Sequence, residues 1–549
     1  MTTAYSTDNT STICAISTPS GRGGIAVARV SGKDAIAITA AICRNPDKIT
    51  RAESHTAHLA TICDSRSEKL DQAVITVFHG PRSFTGEDVT EISVHGSVYI
   101  QQELLKALVG KGCRLAEPGE FTRRAFINNR LDLAEAEAVA DIIATTSRAA
   151  HRLAIAQLDG RFSRHINTLR DRLIELASLL ELELDFSEED VTFADRQALA
   201  KLAREIIATT TRLADTFDTG STLREGIPVA IIGLPNAGKS SLLNAILGHD
   251  RAIVSNIPGT TRDTIEETVD NHGITLRFID TAGIRHSHDT IEALGIDRSI
   301  DSIRRARIVL WLITPDQIAD TAAITEFHTL TAPHLRPGTT IIPILNKTDL
   351  APKLTPGHLQ TLDTTLANLR DANDTHPSDQ SAQSDSSDKS DPQDITLTPA
   401  IPVSALLGTG IDDIKQTIAR VTTANLPDDE SMIVTNQRHY EALRAATAEL
   451  RNLLRGLTTA PDADDASAAS HQSEGQTSAT PNHADYHGVH ADAIHPDHAD
   501  YQGAHAEGLT PDLLALHLRA AIDHLSAITG TITTTTILNT IFQKFCIGK

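Results

Sequence analysis

Apolar residues recur along this chain at two different periods. Up to about residue 130, short apolar runs (Ile25–Val30, Val74–Phe78, Val89–Val94) are separated by Gly/Pro turns, which predicts a mixed α+β region. From 131 to 220 the period lengthens. Leu169, Leu173, Leu176, Leu180 and Leu184 stand three to four apart, the spacing of a helix face. Between 224 and 423 strand and helix patterns alternate, as in a parallel α/β sheet. After about 430 the helical period returns, with Leu443, Ala446, Leu450 and Leu454 on one face and Leu514, Leu518, Ile522 and Leu525 on another. Thr510-Pro511-Asp512 is a helix start and Gly530 a stop. Plain core packing accounts for these stripes. The expected fold is multidomain: an α+β domain over 1–130, a helical domain in two parts (131–223 and 424–549), and an α/β domain over 224–423 inserted between them.

Two segments break the pattern. Residues 371–394 hold seven Asp, one Lys and no large apolar residue, and 461–508 hold nine acids and no Lys or Arg. The second repeats itself, HADYHG at 483–488 and HADYQG at 498–503. Neither carries enough apolar surface to offset the entropy of ordering, so both read as flexible insertions. They also reinterpret the charge. The chain of 549 residues has a net charge of −22, of which −15 lies in the inserts and only −7 in the rest. The second insert carries seven histidines (His471, His483, His487, His490, His495, His498, His505). A metal-binding tract is one reading, but a degenerate low-complexity repeat is favoured because no fixed ligand geometry is evident.

Composition narrows the classes. Hydrophobic residues at 40% and charged residues at 22% exclude a wholly disordered chain. No apolar run approaches the ~20 residues of a membrane span, and the polar start does not resemble a signal peptide. Five cysteines (Cys14, Cys43, Cys63, Cys113, Cys546) form no C-x-x-C pair, so neither a disulfide framework nor a zinc site is expected. A soluble, cytoplasmic protein is the expectation.

The chemistry concentrates between 227 and 405. The apolar run Ile227–Gly233 enters Gly233-Leu-Pro-Asn-Ala-Gly-Lys-Ser240, followed by a helical stretch from Ser241. Strand, G-x-x-x-x-G-K-[ST] and helix together form a phosphate cradle. Glycines let backbone N–H groups face phosphate oxygens, and the helix N-terminus adds positive potential. Lys239 reaches the β- and γ-phosphates, and the Ser240 hydroxyl binds Mg²⁺. Asn236, Ala237, Gly238 and Ser241 complete this contact set. Asp280-Thr281-Ala282-Gly283 follows the strand pattern Leu276–Ile279. Asp280 is placed for the Mg²⁺ shell and Gly283 to sense the γ-phosphate. Asn346-Lys347-Thr348-Asp349 ends another strand pattern. A carboxylate there accepts from N1–H and the 2-amino group of guanine, donors adenine lacks, so GTP is selected. Ser404-Ala405 fits the loop that contacts guanine O6. Gly259-Thr260-Thr261-Arg262-Asp263 reads as a switch in which Thr261 coordinates Mg²⁺. Ile284 stands where many GTPases place a water-orienting Gln, so another group must do that work. Asn236 reads equally as a monovalent-cation ligand and as a turn-stabilising residue after Pro235.

The combination G-L-P-N-A-G-K-S-S, I-P-G-T-T-R-D, D-T-A-G-I-R and N-K-T-D resembles the bacterial GTPases of the Era, Der and MnmE group. S-G-R-G-G-I-A (20–26), S-F-T-G-E-D-V (83–89), P-G-E-F-T-R-R-A-F (118–126), L-D-L-A-E-A-E-A-V-A-D (131–141) and the terminal F-C-I-G-K (545–549) resemble the MnmE (TrmE) family specifically. The resemblance spans nearly everything except the two inserts. It implies a folate-binding-like α+β N-terminal domain that dimerises, an all-α domain, and an inserted Ras-like P-loop G domain. It also implies a K⁺-stimulated GTPase working on tRNA with the FAD-dependent partner MnmG. The pair installs an aminomethyl or carboxymethylaminomethyl group on carbon 5 of the wobble uridine. The one-carbon donor is 5,10-methylene- or 5-formyl-tetrahydrofolate. An Era- or Der-like ribosome-assembly GTPase is the alternative, although neither a second P-loop nor a KH-type G-x-x-G module is evident.

Carried over position by position, the resemblance assigns Asn236, Ser255, Ile257 and Thr260 to K⁺ and Ser240 and Thr261 to Mg²⁺. Glu292 takes the position of the glutamate that helps orient the attacking water, beside Lys239 and Asp280 as catalytic groups. On residues alone Glu292 reads as a solvated helix-face acid, and Arg285 as a surface arginine. Arg29, Glu87, Arg130 and Lys549 fall on the folate positions. Arg130 keeps the charge but not the geometry of the lysine usual in relatives. The resemblance favours a functional thiol at Cys546, whereas its neighbours Leu538, Ile541, Phe542 and Phe545 suit a buried small hydrophobe.

Overall fold

The computed structural model describes residues 10–185, 196–249, 267–279, 300–318, 324–325, 328–329, 331–350, 360, 362–364, 395–424, 432–458, 510–531, 538, 541–542, 545 and 548. Both acidic inserts lie outside these residues. The chain divides into two compact units, one of 1–164, 215–440 and 533–549, the other of 165–214 and 441–532. The helical residues 131–223 therefore fall in both.

The N-terminal strands are β1 (Ile13–Ile16), β2 (Ile25–Ser31), β3 (Thr56–Cys63), β4 (Lys69–Phe78), β5 (Val89–His95) and β6 (Arg114–Leu115). They form one sheet in the order β3-β4-β5-β2-β1-β6. Alternation along β2 sets its two faces. Ala26, Ala28 and Val30 join a buried core with Ile75, Val77, Ile92 and Val94. Helices α1 (Ala35–Ala41), α2 (Asp47–Thr50) and α3 (Val98–Gly110) contribute Ile38, Ile49, Leu104 and Leu108 to it. Arg29 and Ser31 occupy the opposite face of β2, next to α4 (Glu120–Ile127). There Ile13, Ala15, Ala116 and Phe121 make a small separate cluster.

Helix α5 (Leu133–Ala144) starts where the sequence provides its own cap. The Asp132 carboxylate accepts from the Glu135 N–H, and the Glu135 carboxylate accepts from the Asp132 N–H. Helix α6 (Arg148–Leu158) follows, then α7 (Arg161–Asp185), α8 (Arg196–Asp215) and α9 (Phe217–Glu225). The predicted leucine stripe lies on α7, with Leu169, Leu173 and Leu180 buried. In the second unit Thr210 and Thr447 share a buried hydroxyl hydrogen bond of 2.7 Å.

The inserted domain has β7 (Ile227–Gly233), β8 (Glu267–Asn271), β9 (Ile274–Phe278), β10 (Ile308–Ile313), β11 (Thr340–Leu345), β12 (Thr396–Leu397) and β13 (Ile401–Pro402). Their order is β12-β11-β10-β7-β9-β8, with β13 also on β11, and only the β8–β9 pair is antiparallel. Every residue of β10 and β11 is buried, as strands covered on both faces require. Helices α10 (Lys239–His249), α11 (Pro315–Ile318) and α12 (Ile411–Ala424) belong to this domain. Helices α13 (Gln437–Thr458) and α14 (Pro511–Thr529) complete the fold, α14 ending on Gly530 at φ +84°. None of the described helices is long and apolar enough to cross a membrane.

One buried ionic group joins α5 to the start of α13. Glu137 takes two bonds from the Arg438 guanidinium, at 3.0 and 2.9 Å, and lies 2.9 Å from His439. The His439 ring stacks on Phe162. Burial alone would raise the Glu137 carboxyl, but the imidazole and guanidinium outweigh it and pull it down to about 2; burial in turn lowers the His439 imidazole, which leaves Arg438 the charged partner at pH 7. A carboxyl depressed on folding adds stability above its unfolded value of ~4.3 and loses it as pH falls towards the folded value. Glu137→Gln should therefore cost about 3 kcal/mol at pH 7. Denaturant titrations of both forms should show that difference shrinking as pH falls from about 4.5 towards 2. A difference independent of pH would assign the loss to packing.

Candidate nucleotide site and a second polar cradle

Strand β7 delivers Gly233 beside Leu312 of β10, and a Cβ at 233 would lie 2.7 Å from the Leu312 carbonyl oxygen. The strands can close here only on glycine, which also adopts φ +152°. Gly238 (φ +95°) is the second such position, where a Cβ would strike the Asn346 side-chain amide. Between them Asn236 takes φ +61°, a left-handed conformation that Asn tolerates better than most residues. Ala237 is buried in the sheet core. Lys239 lies along the loop, its Nζ donating to Gly233 O at 2.8 Å and Leu234 O at 3.2 Å. Burial lowers its ammonium below the usual lysine range. Lys239, Ser240 and Ser241 form the first turn of α10, so the helix N-terminus faces the loop.

The base-recognition residues assemble across the same end of the sheet. Asn346 is 1% exposed. Its amide donates to Ala237 O at 2.8 Å, and its carbonyl oxygen accepts from Ala405 N–H at 3.1 Å. Lys347 turns the chain at φ +62°. Asp349 Oδ1 accepts from Ser404 Oγ at 2.6 Å, and Ser404 Oγ accepts from Leu407 N–H at 3.2 Å. Thus the P-loop, the N-K-T-D turn and the Ser404-Ala405 loop are hydrogen-bonded into one assembly. Backbone N–H groups of a glycine-formed loop at a helix N-terminus are of the kind that bind an anion, and a carboxylate such as Asp349 is of the kind that accepts paired N–H donors.

Eleven of the residues predicted for function lie outside the described residues. They are Ser255, Ile257, Thr260, Thr261, Asp280, Thr281, Ala282, Gly283, Glu292, Cys546 and Lys549.

A second group of charges occupies the other face of β2. Register sets Arg29 opposite Glu91, and the guanidinium donates to Glu91 Oε1 at 3.0 and 2.8 Å. The same guanidinium lies 5.0 Å from the Phe84 ring centroid and 5.7 Å from that of Phe121. Glu87 Oε2 accepts from Ser31 Oγ at 2.7 Å. Arg124 Nη1 reaches Glu87 Oε1 at 3.1 Å and Oε2 at 3.2 Å. Arg124 is 1% exposed and also pairs with Glu120 Oε1 at 3.0 Å. Burial opposes ionisation of Glu120, but Arg114, the Glu117 N–H and Arg124 more than compensate and lower its carboxyl. The Arg130 side chain lies over Gly86, 3.1 Å from where a Cβ would stand. Ser17 Oγ donates to Gly548 O at 2.9 Å, so the C-terminal tail meets the strand pair β1–β2. Phe542, Phe545, Leu538 and Ile541 pack with Leu133 of α5 and Phe126 of α4.

Of the residues expected at this second site, the structure brings Arg29, Glu87 and Arg130 into the region of β2, the 83–87 loop and α4. Sequence reading missed Ser31, Phe84, Glu91, Phe121 and Arg124. Phe84, Phe121 and Arg124 sit inside motifs singled out for their resemblance. Phe84 and Phe121, however, meet Arg29, far back in the sequence, and Arg124 meets Glu87, 37 residues away, and no local pattern reveals such pairings.

Comparison with known proteins agrees with this organisation. The model of the GTP-binding protein TrmE N-terminus matches residues 12–130, and that of the MnmE helical domain matches 133–472. A tRNA modification GTPase MnmE from Cytophaga hutchinsonii is 39% identical over 552 residues, covering 100% of both chains. Those from Porphyromonas gingivalis (39%, 98% of each chain) and Christiangramia forsetii (38%, 98% of this chain and 99% of the relative) match comparably. Among solved structures, a GTP-binding protein from Sulfolobus solfataricus in complex with GDP covers 47% of this chain and 67% of its own. Its 16% identity and TM-score of 0.26 are too low to bear on function. Full-length coverage by MnmE relatives sets the Era- or Der-like alternative aside. With the P-loop, the guanine-loop assembly and matches along the whole chain, this protein belongs to the MnmE (TrmE) family of tRNA modification GTPases.

Proposed function

We propose that this protein hydrolyses GTP with K⁺ stimulation to drive modification of carbon 5 of the tRNA wobble uridine. It acts as a cytoplasmic homodimer through its N-terminal domain and with an FAD-dependent MnmG partner. The added group is aminomethyl or carboxymethylaminomethyl, and its one-carbon unit comes from 5,10-methylene- or 5-formyl-tetrahydrofolate. The observation that carries the GTPase reading is the joint hydrogen bonding of the P-loop, Asn346, Asp349, Ser404 and Ala405 at one end of the sheet. For the folate reading, the support is Glu87, an acceptor bound by Ser31 and Arg124, with Arg29 on the same face of β2 as Ser31, an acceptor and a cation of the kind a pterin with an acidic tail requires.

In this reading the P-loop N–H groups of Asn236 to Ser241 bind the phosphates. Lys239 exchanges its bonds to Gly233 and Leu234 for β- and γ-phosphate oxygens. Asp349 accepts from guanine N1–H and the 2-amino group, and the Ala405 N–H faces O6. Glu292 orients the attacking water, the role Ile284 is unable to fill. Ser240, Thr261 and Asp280 hold Mg²⁺ or its water shell, and Asn236, Ser255, Ile257 and Thr260 hold K⁺. Bound there, the two cations supply positive charge that stabilises the phosphates during transfer. Thr281, Ala282 and Gly283 form the second switch. Arg29, Glu87, Arg130 and Lys549 hold the folate, and Cys546 is a functional thiol beside it.

Asp349→Asn should reverse base preference, because an amide donates to the 2-oxo group of xanthine where a carboxylate accepts from the 2-amino group of guanine. Affinity for GTP should fall about 100-fold, from the loss of charge-assisted bonds of ~1.5–3 kcal/mol each. Titration with GTP and xanthosine triphosphate tests this, and unchanged GTP affinity would contradict the guanine assignment. The cation reading makes a separate demand. Turnover should be faster in KCl than in NaCl, and Asn236→Ala should remove that ratio, whereas a turn-stabilising Asn would leave it intact. For the biological role, nucleoside mass spectrometry of tRNA from depleted cells should lack the wobble carbon-5 modification. Wild type should restore it and Asp280→Ala should not. An unchanged nucleoside profile would refute the tRNA role.

A further inference from the structure

We infer that Ser31 and Arg124 are positioning residues for ligand recognition by Glu87, fixing its carboxylate so that its remaining acceptor direction, on Oε1, is presented to the 2-amino donor of a bound ring. The inference rests on the proposal that Glu87 receives the pterin ring of a tetrahydrofolate.

Three observations carry it. The Glu87 carboxylate is bound by two buried groups that are themselves hydrogen-bonded. Ser31 lies on a buried stretch of β2, and its hydroxyl is itself within 2.7 Å of Thr85 Oγ1. Arg124 Nη1 alone donates to both Glu87 oxygens, while Nη2 donates to Ser11 O at 2.8 Å and to Glu120 Oε1. Its side chain is 2% exposed, against 20% for Glu87. The backbone of Glu87 is pinned as well. Its carbonyl accepts from Ser83 Oγ at 2.5 Å, and its N–H donates to Thr85 Oγ1 at 3.3 Å. A carboxylate offers about four lone-pair directions. Ser31 and Arg124 take both on Oε2, Arg124 takes one on Oε1, and the second on Oε1 stays open. A glutamate held this way forfeits little rotamer freedom on binding, and its open direction meets a donor at a fixed angle. A lone surface Glu would turn any of its lone pairs to whichever donor came near, with little discrimination.

The test is a cycle between protein and ligand, using full-length protein and calorimetry. The probes are 5-formyl-tetrahydrofolate and its 2-desamino-2-methyl analogue, which keeps N3–H but lacks the 2-amino donor. Wild type should bind the analogue about tenfold more weakly, the worth of one hydrogen bond to a charged group. Ser31→Ala, whose cavity is small, should keep a wild-type melting temperature. It should bind the natural ligand several-fold more weakly and discriminate between the two probes about twofold or less. Arg124→Lys should partly preserve the discrimination that Arg124→Met removes. Equal weakening of both probes in Ser31→Ala, with discrimination intact, would overturn the inference and leave these residues a structural role. Glu87→Gln separates the two layers. If it loses discrimination while Ser31→Ala and Arg124→Met retain it, the folate reading stands and the positioning inference falls. If Glu87→Gln binds both probes as wild type does, the folate reading fails and the inference fails with it.

Discussion

A single buried amide, that of Asn346, makes the nucleotide site one object. Its two ends bond to Ala237 O on the phosphate side and to Ala405 N–H on the base side. A buried amide left half-satisfied costs more than its bonds return, so either loop can shift only at the expense of the other. That constraint reaches back into the sheet. Gly238 must lack a Cβ because the Asn346 amide approaches it, and Gly233 must lack one because β10 does. The spacing of the motif is thus the trace of two close approaches, one from a neighbouring strand and one from a side chain more than a hundred residues later.

The N-terminal cradle follows a different economy. Its centre is Arg124, a guanidinium out of reach of water, whose charge is matched by Glu87 and Glu120. Moving such charges out of water is costly, and hydrophobic residues of similar volume would often be at least as stable. Stability is therefore a weak reason for this arrangement. A carboxylate that has to point outwards with a fixed orientation is a stronger one. Glu137 with Arg438 and His439 provides the contrast. There the acid is 9% exposed and is shared between a guanidinium and an imidazole, and its consequence is pH-dependent stability.

Much of this was legible in sequence, and the reason differs by element. The strand β7, the P-loop turn and α10 follow from local rules of period, glycine placement and helix start. So does α14, framed by Thr510 and Gly530. The Asp132–Glu135 cap lay within a motif noticed only for its resemblance. What was not legible are pairings set by register. Arg29 faces Glu91 because β2 and β5 align there, and a shift of one residue would send Arg29 to the hydrophobic face. Ser31 is placed at Glu87 by the same alignment. Candidate residues could be named from their chemistry, but the groups that aim them could not.

The division of labour within β2 extends that point. Three residues on one face (Ala26, Ala28, Val30) are small or β-branched and anchor the core. Arg29 and Ser31 on the other face hold Glu91 and Glu87 respectively. The apolar alternation itself accounts for the sheet, and other small residues at 31, or another long side chain at 29, would keep it. The fold therefore does not require this Arg and this Ser. Their presence two positions apart, each directed at a different acid, is better explained by what the two acids must hold than by what the sheet needs to form.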